Sequence, residues 1–493
     1  MQTIKIHPLD NVAVALEDIP EGTHLTIDGE EVVTLEKIAR GHKVALKDIP
    51  EGTPVTKYGN TIAGATADIK KGSWVHTHNA RTELKEGGEY FYDHKVYDLP
   101  MVEPRTFMGY RRKDGRAAIR NEIWIIPIVG CVNGIAKQIV EETQDVVKGS
   151  VEGVYTFAHP FGCSQLGDDL RQTKKLLAAL VRHPNAAAVL CLSLGCENLT
   201  RPMFLEELGP YDEERVKFLN CQDVEDDVEA GAAIIRELAE YAGQFKREPI
   251  PASELVVGMK CGGSDGLSGI TANPTVGRFS DRLIALGGST VLTEVPEMFG
   301  AENILFARCE NQQIFEKAVA MVNDFKDYFV SHGQVVYENP SPGNKAGGIT
   351  TLEDKSCGCV QKGGSAPVVD VLEYAEPVTM KGLSLLSGPG NDMVSTTDLT
   401  AAGAHMILFT TGRGTPFGAP APTIKISTNT ALYEKKRGWI DFNAGTVAEG
   451  QETLDAAGDR LLDLVLQVAS GQRTRQEEAG YREISIFKDG VTL

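Results

Sequence analysis

Apolar and polar positions alternate in different rhythms along this chain. In the first eighty residues the apolar runs are short, β-branched and separated by polar turns. Three segments repeat a theme: LEDIPEGTHLTI (16–27), LKDIPEGTPVTK (46–57) and TADIKKGSWVHT (66–77). Each carries Asp-Ile, two further residues, then Gly. In such a turn Asp accepts backbone hydrogen bonds and Gly takes positive φ, while the residues that follow prefer extended backbone. The repeat predicts a small β-rich module ending near Asn79, with an irregular polar connection over 80–104.

From Asn121 the rhythm changes. The apolar runs EIWIIPIV, VEGVYTFA, AAVLCLSL and VKFL each precede a helical segment. Near-continuous apolar strands alternating with helices predict a parallel sheet covered on both faces. The Pro-bearing KREPIPASEL (246–255) reads as a linker. A second α/β region follows, with strand LVVGMK, a helix around 275–287, strand STVLTEV, a helix over 311–331, and strands HMILFTT and PTIKIST among Gly-rich loops. The expected architecture is multidomain α/β. It comprises a β-rich module and linker over 1–100, an α/β domain over 101–247 and a C-terminal α/β domain over 248–493, the last two with mainly parallel sheets.

Composition narrows the function. At 493 residues the chain exceeds a single ordinary core, and its 42% hydrophobic and 24% charged residues are normal for a folded protein. The longest apolar run, AAAVLCLSL around Cys191, is about half of a bilayer crossing. No basic patch followed by an apolar run opens the sequence, so a cytoplasmic location is expected. A net charge of −19, with no cluster of five Lys or Arg, argues against nucleic acid and anionic membranes as partners. An acidic substrate would need a local basic pocket, for which Lys345, Lys355, Lys362, Arg413 and Lys425 are candidates. The nine cysteines include no C-x-x-C pair, so in a reducing compartment they are thiols, metal ligands or catalytic groups.

The cysteines fall in a pattern. Cys131 follows PIVG, Cys163 follows HPFG, Cys196 follows LSLG, Cys221 follows KFLN and Cys261 follows VVGMK. Each marks the end of a predicted strand, where doubly wound sheets bind ligands. They are candidates to meet in one crevice; the alternative is packing as small hydrophobes, the reading given to Cys191 and Cys309. Beside them stand His159 and Gln165 in HPFGCSQLGDD, and Glu197 and Asn198 in LGCEN. Thiolates mixed with imidazole and carboxylate point to iron rather than magnesium. His76 and His78 would share one face of a strand and could reach one metal; the alternative is a structural role. The loop KCGGSDGLSG, with Ser264 and Asp265, could cradle a carboxylate on its amides, or form an ordinary tight turn. In TEVPEMFG, Glu294 and Glu297 are candidate bases, metal ligands or helix caps. Cys357 and Cys359 form a C-x-C pair, either metal ligands or loop residues.

These motifs carry a resemblance. VGCVNGIA, GCSQLGDD, LGCEN, CGGSDGLSGITANP, TEVPEMFGAE, NPSPGNKAGGITTLEDKS and TTGRGTP resemble the altronate dehydratase and galactarate dehydratase family. The similarity runs through the whole chain, and the N-terminal module resembles the family's SAF (β-clip) domain. The N-terminal IKIHPLDNVAVAL and the length are closer to the altronate branch. The resemblance implies a hydro-lyase that converts D-altronate to 2-dehydro-3-deoxy-D-gluconate and water in galacturonate breakdown, with ferrous iron. Galactarate is the alternative substrate, and a non-catalytic sugar-acid-binding regulator the alternative of another class. Such a reaction needs a base for the α-proton, here His159 or Glu297, an acid for the β-hydroxyl, and a cation to neutralise the developing enediolate. The metal is expected on His76, His78, Cys131, Cys163, Cys196 and Cys261, as Fe²⁺, with Mn²⁺ or a [4Fe–4S] cluster on three cysteines as alternatives. Asn198, Ser264, Asp265, Lys345, Lys355 and Arg413 are expected to bind substrate. The partner is then a small sugar acid, and the chain is expected to form a homo-oligomer, a dimer.

Overall fold

The computed structural model describes residues 2–84, 90–337 and 339–490. The N-terminal module is three small antiparallel sheets. Thr3–Ile4, Val12–Ala15, Lys43–Ala45 and Trp74–Val75 form the first; His24–Ile27 pairs with Glu30–Val33; Pro54–Lys57, Asn60–Ala65 and Ala80–Arg81 form the third. The sequence repeats pair with one another: Ile49 bridges Ile69, and Ile19 bridges Ile38. Ile38 belongs to a fourth unit, KIARG (37–41), which lacks the Asp and so escapes the sequence pattern. The three Asp residues pin the turn of the unit opposite. Asp18 accepts from the Arg40 amide (3.0 Å), Asp48 from Lys71 (2.9 Å) and Asp68 from Glu51 (3.0 Å). Gly22, Gly41, Gly52 and Gly72, each three residues past its Ile, all have φ between +75° and +90°, which a Cβ would strain.

Residues 90–105 hold no helix or strand. The middle domain carries a parallel sheet in the order Gly153–Thr156, Glu122–Pro127, Ala186–Ser193, Val216–Asn220. Alternate residues of the 122–127 strand bury to opposite sides. Trp124 and Ile126 pack with Leu176, Leu177 and Leu180 of helix Gly167–Arg182, while Ile123 and Ile125 pack with Ile139 of helix Asn133–Glu142 and Ile235 of helix Asp227–Ala242. Both faces are covered, which is why the strands read as apolar throughout.

The stretch expected to be a linker is instead a strand. Arg247–Pro251 pairs antiparallel with Thr106–Arg111, aligning Phe107 with Ile250. It is an edge strand, which is why it tolerates Pro249 and Pro251. The chain thus enters and leaves the middle domain through two adjacent strands.

The C-terminal domain is built on seven parallel strands. Their order is Val368–Leu372, Gly382–Leu386, Ser289–Leu292, Val256–Cys261, Met406–Thr411, Thr423–Ser427, Phe442–Asn443. Helices Ala272–Ala285 and Leu454–Ala469 cover one face, burying Val276, Phe279, Leu461 and Val465 against Val257 and Met259. Helix Asp392–Ala401 covers the other through Leu399, against Val291 and Ile407. The α/β class with mainly parallel sheets is borne out. From Val256–Cys261 the chain moves outward on one side, then returns on the other at Met406–Thr411. The order reverses between those two strands, and a crevice outside their carboxyl ends follows.

Candidate active site

The strand Val256–Cys261 ends at that crevice with a charged and a soft side chain in succession. Lys260 is fully buried in a strand otherwise apolar; its Nζ pairs with Glu294, donates to Gly390 O (3.0 Å) and lies 3.1 Å from Asp392. Glu294 lies just beyond the neighbouring strand in the left-handed region (φ +70°), and the backbone turns there into the short helix Val295–Glu297. Its second oxygen accepts the Cys261 amide (3.0 Å) and faces Lys362 at 3.2 Å. Helix Leu352–Cys359 contributes Lys355 and Cys359, spaced i, i+4 and so on one face. Lys355 Nζ donates to Glu297 Oε1 at 2.8 Å. Glu297 Oε2 is 3.0 Å from Cys261 Sγ and 3.1 Å from Cys359 Sγ, and the two sulfurs are 3.5 Å apart.

Three ammonium groups (Lys260, Lys355, Lys362) here face three carboxylates (Glu294, Glu297, Asp392). All but Asp392 are buried. Burial alone would push Glu297 up, but the charges of Lys355, Lys260 and Lys362 outweigh it and hold the carboxylate well below its usual range. Glu294 moves the other way, raised by burial and by the charge on Glu297. Burial opposes the charge on Lys260 and Lys355, yet their carboxylate partners keep both above the ordinary lysine value. The Cys359 thiol is pushed up, first by its hydrogen bond with Cys261 and then by burial.

The donor set fits a soft divalent ion. Among the described residues, Cys261, Glu297 and Cys359 are the only three or more potential ligands whose donor atoms all lie within 4.8 Å of one another. Two thiolates ~2.3 Å from one ion can be at most ~4.6 Å apart, and these sulfurs satisfy that. The acids and bases around them already balance, so a dication with two thiolates would add no net charge. Sulfur with one carboxylate suits iron better than magnesium.

The N-terminal module roofs this crevice. Gly41 lies so close to the C-terminal domain that a Cβ on Gly348 would sit 2.2 Å from Gly41 O, and one on Gly266 2.0 Å from it. Lys43 and Lys57, both buried, reach Asp354 at 2.8 and 3.1 Å, and Lys43 also donates to Gly348 O (2.8 Å). Between Lys57, Tyr58, Ser264, Asp265, Lys355 and Cys359 remains a cavity of about 10 Å³, room for one water.

Several sequence expectations change here. His159 is not a free base: Nε2 bonds Pro127 O (2.7 Å), Nδ1 accepts the Phe161 amide (3.2 Å), and the ring is buried in the middle domain. His76 and His78 are not on a strand, because Trp74–Val75 ends before them and a turn closes from the Asn79 amide to His76 O (3.0 Å). His76 stacks on Trp74 and meets Thr350 Oγ1 (3.2 Å), and the exposed His78 tilts against the same indole; among the described residues neither joins a thiol in a cluster of potential metal ligands. The 260–269 loop offers no open anion cradle. Asp265's own carboxylate takes the Leu267 amide and the Ser268 and Thr428 hydroxyls, and the Gly266 amide donates to Gly347 O. Ser264 and Asp265 still line the cavity. Arg413 is exposed and donates to Gly343 O (3.1 Å) on the short helix that carries the half-buried Lys345. Asn198 lies in the middle domain, where its Oδ1 caps the Ser164 amide (2.7 Å).

The cysteines do not share one crevice. Cys261 joins Cys359, whereas Cys131, Cys163 and Cys196 stand on the middle-domain sheet and Cys221 is buried in that domain's core. Sequence reasoning overlooked Lys260. Its signal is a lone lysine inside an apolar strand, immediately before a cysteine.

Comparison with known proteins agrees with this three-part layout. Residues 1–83 match the altronate/galactarate dehydratase SAF domain, 109–243 the D-galactarate dehydratase/altronate hydrolase second domain, and 252–492 the D-galactarate/altronate dehydratase C-terminal domain. The chain is 54% identical over 498 residues to altronate dehydratase of Escherichia coli (strain K12), covering 100% of both chains. It is 53% identical to altronate dehydratase of Bacillus subtilis (strain 168), covering 99% of both. The chain belongs to the altronate/galactarate dehydratase family. A more distant family member, galactarate dehydratase (L-threo-forming) of Escherichia coli (strain K12), is 33% identical, covering 98% of this chain and 96% of the relative. Within the altronate/galactarate dehydratase layout, the candidate site draws on the SAF and C-terminal domains, and the second domain holds a separate set of thiols.

Proposed function

We propose that this chain is a hydro-lyase that converts D-altronate to 2-dehydro-3-deoxy-D-gluconate and water. The observation that carries this reading is the full-length identity to two altronate dehydratases, well above the 33% to a galactarate dehydratase.

In the proposed chemistry Glu297 takes the proton from C2 of the sugar acid and returns it to the C3 hydroxyl, which leaves as water as the C3–oxygen bond breaks. The resulting enol tautomerises to the 2-keto acid. Glu297 suits the role because Lys355 holds it ionised and aimed between the two thiols. Lys260 and Lys362 keep Glu294 in place beside it and supply the positive field an acidic substrate needs. Cys261 and Cys359 would hold a ferrous ion, or Mn²⁺, beside Glu297; when bound it would supply Lewis-acid neutralisation of charge on the substrate carboxylate. The sugar acid exceeds the present cavity of about 10 Å³, so the crevice must widen to admit it.

The test is keto-acid formation by the anaerobically purified, iron-supplemented chain offered D-altronate and galactarate separately. Faster turnover of altronate is expected. Preference for galactarate would reassign the substrate, and no keto acid from either would favour a binding protein.

A further inference from the structure

We infer that Cys131, Cys163 and Cys196 of the middle domain together carry an iron–sulfur cluster, at a site separate from the Cys261–Cys359 pair. The three thiols follow three adjacent strands of one parallel sheet, in the spatial order Gly153–Thr156, Glu122–Pro127, Ala186–Ser193, whose neighbours lie about 4.8 Å apart. The loops that carry them are stitched together. The Gly130 amide, beside Cys131, donates to Phe161 O (2.8 Å), the Leu199 amide donates to Gly162 O beside Cys163 (3.1 Å), and the Ser164 amide donates to Asn198 Oδ1 (2.7 Å). Each cysteine-bearing loop is thus held to the next.

Exposure separates these thiols from the packing cysteines. Cys191 and Cys221 of the same sheet are buried, whereas Cys131 and Cys196 are exposed and Cys163 is half-buried. Their recorded sulfur contacts are weak, Ser164 Oγ at 3.9 Å from Cys163 and Gln222 Nε2 at 3.8 Å from Cys196. The backbone around them is shaped for sulfide anions. Gly162 (φ +96°), Ser164 (φ +54°) and Gly195 (φ +125°) flank Cys163 and Cys196 in the left-handed half of φ space, and the amides of Cys163 and Cys196 donate to no acceptor among the described residues. Alternating-handed backbone with free amides is the nest geometry that surrounds phosphate and iron–sulfur groups.

Spacing chooses a cluster over a single ion. The three sulfurs do not all lie within 4.8 Å of one another, so they do not enclose one ion at ~2.3 Å each. In a cubane each thiolate takes a different iron, and the ligands spread further. On binding, each thiol gives up its proton and its thiolate takes one iron, leaving the fourth iron without a protein thiolate. Beside Cys196 lies a cavity of about 280 Å³ lined by Glu197, Arg201, Asn220 and Asp223, space for a small ligand.

The chain is purified anaerobically and reconstituted with equal amounts of ferrous and ferric iron and with sulfide. Iron, acid-labile sulfide and the visible charge-transfer band are then measured for wild type, Cys131→Ser, Cys163→Ser, Cys196→Ser and Cys261→Ser. The expected result is about four sulfides per wild-type chain, loss of most sulfide and of the band in each of the first three variants, and retention of both in Cys261→Ser. Alkylation of the wild-type protein guards against a variant that fails to fold: Cys131, Cys163 and Cys196 should be protected when reconstituted and labelled after chelation. Iron without labile sulfide, or sulfide retained in all three variants, would overturn the assignment, as would labelling of the three thiols unchanged by reconstitution. None of these readouts depends on turnover, so the result stands whether or not altronate is the substrate.

Discussion

Lys355 and Glu297 form a buried ion pair, Nζ to Oε1 at 2.8 Å, on a carboxylate that two thiols also touch. The lysine fixes the carboxylate's charge and direction, so its loss should be felt in stability, in ion binding and in rate together. Lys355→Met is expected to destabilise the fold by ~3–5 kcal/mol, because it leaves Glu297 charged and unpaired. Bound iron should weaken by ~10–100-fold, the usual effect of disturbing the charged groups around a metal's ligands. Denaturant titration and a chelator competition measure the two effects; an unchanged iron affinity would separate Glu297 from any metal.

Glu297→Gln keeps shape and removes the charge. With Glu297 as the base, kcat should fall by ~10²–10⁴-fold, with the circular dichroism spectrum unchanged. Steady-state kinetics on D-altronate decides it, and a kcat within a few-fold of wild type would remove Glu297 from the proton transfer.

His159→Gln tests the opposite role. Both ring nitrogens are engaged by backbone, so the expected cost is ~1–3 kcal/mol of stability from groups left unpaired, with kcat within a few-fold of wild type. A loss of rate comparable to that of Glu297→Gln would return His159 to the chemistry.

Buried histidines give stability a pH signature. His405 is held at about 4 by burial, with Nε2 bonded to Ala117 O and Nδ1 accepting the Val256 amide. In the unfolded chain the ring titrates near ~6.5. Between those values the unfolded state binds a proton that the folded state refuses, so stability falls as pH drops from about 6.5 towards 4 and is independent of this group above that window. Unfolding free energies at pH 7, 6 and 5 should show the decline, and His405→Gln should make it shallower, the rest coming from His183, His76, His159 and His42, which burial also lowers.

Gly348→Ala targets the seat of the N-terminal module. Its φ of +101° and the 2.2 Å approach to Gly41 O leave no room for a methyl group. The expected outcome is faster proteolytic cleavage within 90–105 and a lower rate on D-altronate. Unchanged cleavage and rate would show that the module need not seat this closely.

The parallel sheets were legible because strands buried on both faces must be apolar along most of their length, as residues 123–127 and 186–192 are. Three of the four N-terminal repeat units were legible through Asp18, Asp48 and Asp68. The unit at Ile38 was not, since its partner supplies the capping carboxylate. The candidate site was legible in part: strand-end cysteines and Glu297 stand out, but sequence cannot say which strand ends share a sheet. Cys261 therefore looked like a companion of Cys131 and Cys163, although the chain crosses to a second sheet before reaching it. Lys43 and Lys57 lay on short strands, with no local sign that both would converge on Asp354.

The antiparallel pair formed by Thr106–Arg111 and Arg247–Pro251 has a kinetic corollary. It joins Phe107 to Ile250, partners that an unfolded chain seldom brings together, since closing so long a loop costs entropy before any contact rewards it. Once the intervening sheet has condensed, its two ends already lie side by side and the ribbon can zip at little further cost. Assembly should therefore proceed from the inside out: the central unit first, the ribbon next, and the halves of the remaining chain last.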